Sequence, residues 1–185
     1  MTPRQTAVAA GVGLSFGVRA ALGIGEPAPW DPTTALDWLA VLSLSLALAA
    51  LVPGIWLVMT RSAGSDSPGP NRWVTTAGTL ALAGAGAAAV GSLLEAALGL
   101  DVGGLLYVVG VLGLVLGGVA LAATLLFARR PWLALLVAMT LVGLVTEQLG
   151  GLFLVAIAWL GFANLAGRGA WTPPEPDQPP GVADD

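Results

Sequence analysis

The sequence predicts an all-α membrane protein: six transmembrane helices arranged as three consecutive hairpins, with N-terminus and C-terminus cytoplasmic. Three observations lead there. The chain has 185 residues, of which 56% are hydrophobic and only 10% charged, whereas a soluble domain carries about 25% charged residues. Its mean hydropathy is +0.86, and apolar runs long enough for a hydrocarbon core of about 30 Å follow one another with interruptions rich in Pro, Gly, Asp and Arg. Finally, counting six runs places Arg4, Arg61, Arg72, Arg129, Arg130 and Arg168 all on one side of the bilayer, as the excess of basic residues in cytoplasmic segments requires.

The first span is read at 6–24. A cleavable signal peptide is its rival, because Arg4 precedes an apolar run. Arg19 interrupts the end of that run, however, and no small-x-small cleavage site follows before Glu26. The second, third and fourth spans are read at 39–60, 73–94 and 104–128, each of ordinary length at 1.5 Å per residue.

The remaining apolar stretch, 132–166, would form a single helix about 52 Å long, more than tilting can hide. It must break, and the sequence LVTEQLGGLF at 144–153 shows where. Thr146, Glu147 and Gln148 cluster there, and Gly150-Gly151 can adopt the positive φ of a tight turn. Two short spans, 132–146 and 152–166, result. The rival is one fifth span followed by an interfacial helix, and it would strand Arg168 outside. Trp73 and Trp132 at inner boundaries and Trp38 at an outer one fit an interfacial aromatic belt. The inner loop at 61–72 is expected to be flexible, and the Pro-rich acidic tail at 169–185 to be disordered in the cytoplasm.

What is missing narrows the function. The chain contains no Cys and no His, and all seven basic residues are Arg. A thiolate nucleophile, an imidazole base or haem ligand and a Schiff-base lysine are therefore excluded. The residue sets of intramembrane proteases are absent too, and no basic patch suggests nucleic acid. The expectation is a protein that is not an enzyme and holds no cofactor or metal. The Ala, Gly, Leu, Pro and Arg bias is that of a GC-rich genome, so the expected location is a bacterial plasma (inner) membrane.

Four features could carry function. Small residues recur every four positions at Ala9, Gly13, Gly17 and Ala21, at Gly84, Ala88 and Ser92, and at Gly113 and Gly117. Such ridges let helix backbones approach closely, within one chain or between copies. Pro53 in the second span removes a backbone hydrogen bond and frees the carbonyl of Ala49, marking a kink. Arg19 and Glu147 lie at matching depths, about 20 and 22 Å above the inner boundary. A charge so placed is costly alone, so the two are expected to form an intramembrane ion pair. Carboxylates also gather on the outer side at Glu26, Asp31, Asp37, Glu95, Asp101 and Glu147. The reading that follows is a small structural or accessory membrane protein acting by helix-helix association. Its partners are the lipid bilayer and either a second copy or another membrane protein. The alternative is a proton- or cation-coupled transporter or channel using Glu147 and Arg19.

Overall fold

A computed structural model describes residues 2–23, 32–62, 72–99 and 101–167. Within them the chain is all-helical: α1 (Pro3–Leu22), α2 (Ala35–Ser62), α3 (Arg72–Leu98), α4 (Asp101–Phe127), α5 (Pro131–Val145) and α6 (Gly151–Gly167). The Pro-rich tail, the loops at 24–31 and 63–71, Glu26, Asp31 and Arg168 lie outside the described residues.

Local chemistry sets the helix ends. Thr2 and Gln5 form a capping box at the start of α1, with Pro3 behind them at a position where its missing N–H costs nothing. Thr34 and Asp37 exchange the same pair of bonds at the start of α2, Thr34 N–H to the carboxylate at 2.8 Å and Asp37 N–H to the hydroxyl at 3.2 Å. The turn from α4 to α5 is short. Arg130 N–H bonds Leu125 O and Arg129 N–H bonds Leu126 O, with Arg129 left-handed at φ 56°. That pattern closes a helix C-terminus and usually ends on glycine.

The same closure explains LVTEQLGGLF. Glu147–Leu149 forms one 3₁₀ turn, Gly150 sits left-handed at φ 80°, and the N–H groups of Gly151 and Gly150 bond Thr146 O and Glu147 O. The apolar stretch therefore breaks into α5 and α6 at the Gly-Gly pair, where a positive φ carries no Cβ penalty.

Helices α2, α3 and α4, of 28, 27 and 27 residues, are long and apolar enough to cross a membrane. Helix α1 has 20 residues, and α5 and α6 have 15 and 17. Each helix packs on the next in sequence, and α6 returns to α1, so the six form a closed ring. The contacts run antiparallel. Gln5 meets Arg61 and Val12 meets Gly54 between α1 and α2, while Ser45 meets Ser92 and Met59 meets Gly78 between α2 and α3.

Two helix pairs are close enough to demand glycine. Between α3 and α4, Cβ atoms on Gly84, Gly91, Gly103, Gly110 or Gly117 would strike the backbone of the opposite helix. Gly84 and Gly91 are seven apart, as are Gly103, Gly110 and Gly117. Contacts repeating every seven residues mark two helices that stay in register over their length. Between α1 and α6, Gly13 lies against Ala156 O and Leu160 N, both 3.0 Å from its Cβ position.

The four-residue ladders are thus only partly used. Ala9, Gly13 and Gly17 face inward or toward α6, but Ala21 is exposed. Gly84 and Ala88 meet α4, whereas Ser92 turns to α2 and bonds the Ser45 hydroxyl at 2.6 Å. Gly113 only grazes Gly84 at 3.5 Å, and Gly110 takes the close approach. A four-residue period drifts around a helix, and the partner follows the seven-residue seam instead.

Trp159, 1% exposed, reaches the middle of the ring. Its Nε1 donates to Thr140 Oγ1 at 3.0 Å, its edge packs on Phe162, and Gly54 leaves room for the ring, whose Cη2 lies 2.9 Å from where a Cβ would sit. A buried indole N–H needs such a partner. Pro53 lies on the opposite, exposed side of α2, and the helix runs through it. The residue that matters for packing in VPGIW is therefore the glycine.

Candidate functional site: a buried arginine at one end of the ring

Antiparallel packing sorts the charges. Arg4, Arg61, Arg72, Arg129 and Arg130 fall at one end of the helices, and Arg19, Asp37, Glu95, Asp101 and Glu147 at the other. Arg61 Nη2 donates to Gln5 Oε1 at 2.9 Å, tying α1 to α2 at the basic end.

At the acidic end the structure brings Arg19 and Glu147 together. Arg19 stands in the last turn of α1 and Glu147 opens the 3₁₀ turn after α5. Nη2 lies 2.8 Å from Oε1, with the arginine side chain 0% and the glutamate 25% exposed. The local fold explains both positions. The cation sits near the C-terminus of α1, where the helix dipole favours it. The break at Gly150 turns the chain just where the carboxylate can reach α1 while keeping contact with the exterior. Bonding 128 residues apart in sequence, the pair joins the first helix to the last hairpin.

Two features of this site have no counterpart in the sequence reading. The first is Gly23, whose N–H closes α1 onto Arg19 O at 3.0 Å. A Cβ there would lie 2.5 Å from Arg19 Nη1 and 2.9 Å from Cζ. Its φ of −117° suits any residue, so the room glycine leaves here serves the guanidinium and not the backbone. Gly23→Ala is expected to destabilise the protein by about 1 kcal/mol, the low end of overpacking, because the end of the arginine side chain can give way. The same change should be nearly neutral once Arg19 is Gln, and denaturant titration of both backgrounds measures the difference. The second feature is Tyr107 of α4, close enough to feel the charges of both Glu147 and Arg19.

The buried hydroxyls elsewhere have hydrogen-bond partners. The hydroxyls of Ser43 and Thr140 donate to carbonyls of their own helices, while those of Ser45 and Ser92 share their two hydrogens among Val41 O, Ala89 O and one another. Arg19 differs: its Nε and Nη1 are buried with no hydrogen-bond partner, as is Glu95 Oε2 beside Gly104. No family model, curated protein or solved structure matches this chain. The site therefore has to be read from its own chemistry.

A cavity among the helices has an apolar lining. It has a volume of about 20 Å³ and lies among Leu51, Val58, Leu114, Leu121, Val137 and Trp159, apolar apart from the paired Thr140 hydroxyl. A space of that size holds about one water, but an apolar lining gives the water nothing to bond.

Proposed function

We propose that this chain is a six-span protein of the bacterial inner membrane with both termini in the cytoplasm. It serves as a structural or accessory component through helix-helix association, and Arg19–Glu147 is a clamp that closes the ring of helices at its outer end. The observation carrying this reading is the interior. Among the described residues the buried serine and threonine hydroxyls are hydrogen-bonded within the protein, and the cavity among Leu51, Leu121 and Trp159 is apolar. A solute pathway needs groups that replace hydration. The outer surface supports association. Gly11 of α1 and Gly161 of α6 are exposed and have nothing within 4 Å of a Cβ position. An exposed glycine leaves room for the backbone of a neighbouring helix to approach.

Orientation follows from the arginine asymmetry. Single cysteines at Ser65 and Trp171 should react with a membrane-impermeant maleimide only in opened cells, and those at Pro29 and Gly150 in intact cells. The absence of native thiols makes the labelling clean. Labelling at position 171 from outside would overturn the six-span arrangement. Reconstituted into liposomes, the protein should leave imposed proton and cation gradients intact. Collapse of either gradient by the wild type, lost in Glu147→Gln, would replace the accessory reading with transport.

A further inference from the structure

Arg19 holds more donor capacity than Glu147 uses. One carboxylate oxygen meets Nη2, while Nε and Nη1 are fully buried and unpartnered. A guanidinium has five N–H donors and is never deprotonated in proteins, and an unpaired buried donor is costly. Glu147 is the exposed partner of the two, at 25%, and its turn opens to the exterior. If Glu147 takes up a proton, the charge of Arg19 is left buried without compensation, which a protein avoids by pairing it again.

We propose that Arg19 is the seat of an exchangeable counter-ion: on protonation of Glu147, a small monovalent anion of chloride size enters from the outer end and takes the carboxylate's place on the guanidinium. The proton adds to a Glu147 oxygen and the anion replaces its negative charge, so the net charge of the site is unchanged. The anion must be small, since Arg19 is fully buried and space on it opens only as the neutral Glu147 side chain, 25% exposed, swings toward the exterior. It has donors to meet, because Nε and Nη1 add to the Nη2 that Glu147 vacates. Among the described residues no carboxylate other than Glu147 is bonded to Arg19, although Glu95 Oε2 at the same end is itself buried and unpartnered. Tyr107 of α4 lies within electrostatic range of the pair. At the same end of the ring, Asp37 of α2 is bonded to Thr33 and Thr34. Glu95 of α3 packs on Gly104 of α4, and Asp101 stands in the first turn of α4. Helix α6 and the end of α5 bring only Thr146, whose hydroxyl bonds Val142 O.

The test is equilibrium binding of radiolabelled chloride to the full chain in detergent micelles, from about pH 8 to about pH 5. Wild type should bind one chloride saturably in acid, with affinity rising by at most about tenfold per pH unit, the limit for one coupled proton. Glu147→Gln, which fixes the neutral state, should bind it without pH dependence, and Arg19→Gln should not bind it at all. Thermal unfolding guards against loss of fold. Chloride at constant ionic strength, with bulky isethionate as the replacement, should raise the Tm of Glu147→Gln saturably and leave that of the double variant Arg19→Gln/Glu147→Gln unmoved. Binding that survives Arg19→Gln, or no saturable acid-dependent binding in the wild type, would overturn the proposal. In the latter case water alone serves the free donors.

Discussion

Glu147→Gln and Arg19→Gln are each expected to destabilise the protein in detergent, and the double variant to recover most of the loss. Removing one member of a buried pair leaves the other charge uncompensated, which costs about 3–5 kcal/mol in full burial. The two members are unequal here. Arg19 is fully buried, whereas Glu147 keeps a quarter of its side chain exposed. Glu147→Gln strands the buried charge and should approach that range. Arg19→Gln leaves a carboxylate with access to water and should cost less. A neutral pair of glutamines leaves no ion behind, and the coupling read from the four-species cycle should be about 1–3 kcal/mol, the range for residues in direct contact. Denaturant titration at about pH 8 is the measurement, low in chloride so that no anion substitutes for the carboxylate. Strictly additive losses would show that the 2.8 Å contact carries no energy, and the ring would then be closed by the packing of α1 on α6 alone.

How much of this was legible before the fold was known differs by level. Helix positions were readable because apolar length alone reports them. The expected 132–146 and 152–166 correspond to the helices Pro131–Val145 and Gly151–Gly167, since charge and Gly-Gly mark the break, although a single fifth span followed by an interfacial helix was the rival. The matched depths of Arg19 and Glu147 were readable for a related reason: so few ionisable groups lie within apolar runs that few pairings exist. Facing was much harder. A helix in lipid is apolar on every side, so the periodicity that tells inside from outside in a soluble protein is lost. With 26 glycines in the chain, four-residue ladders arise in many places. The seven-residue series Gly103, Gly110 and Gly117 was present in the sequence, and a search at that spacing would have found the α4 seam. Gly23 and Gly54 carried no local signal, because each makes room for a side chain, Arg19 or Trp159, that the fold brings to it.

The close approach of α3 and α4 makes the other large expected effect. A Cβ on Gly84 would fall 2.6 Å from Gly110 O and 2.7 Å from Gly113 C. These are backbone atoms, so no rotamer change relieves the clash and the helices themselves must part. Even Gly84→Ala is expected to cost about 1–3 kcal/mol through overpacking. Gly84→Leu should cost more, because separation loses contacts along the whole seam from Ala77 opposite Gly117 to Glu95 opposite Gly103. In water an alanine in mid-helix is favoured over glycine by about 1 kcal/mol, which makes the sign of the effect informative. Gly11→Ala and Gly161→Ala meet nothing within 4 Å and should leave stability unchanged or slightly raised. Denaturant titration of the four variants in one detergent gives the comparison. Equal effects at Gly84 and Gly11 would mean that helix propensity and not the α3–α4 contact sets the outcome. A loss confined to Gly84 locates the stability of the bundle in backbone-to-backbone packing, the form of association available to helices whose side chains find lipid as apolar as each other.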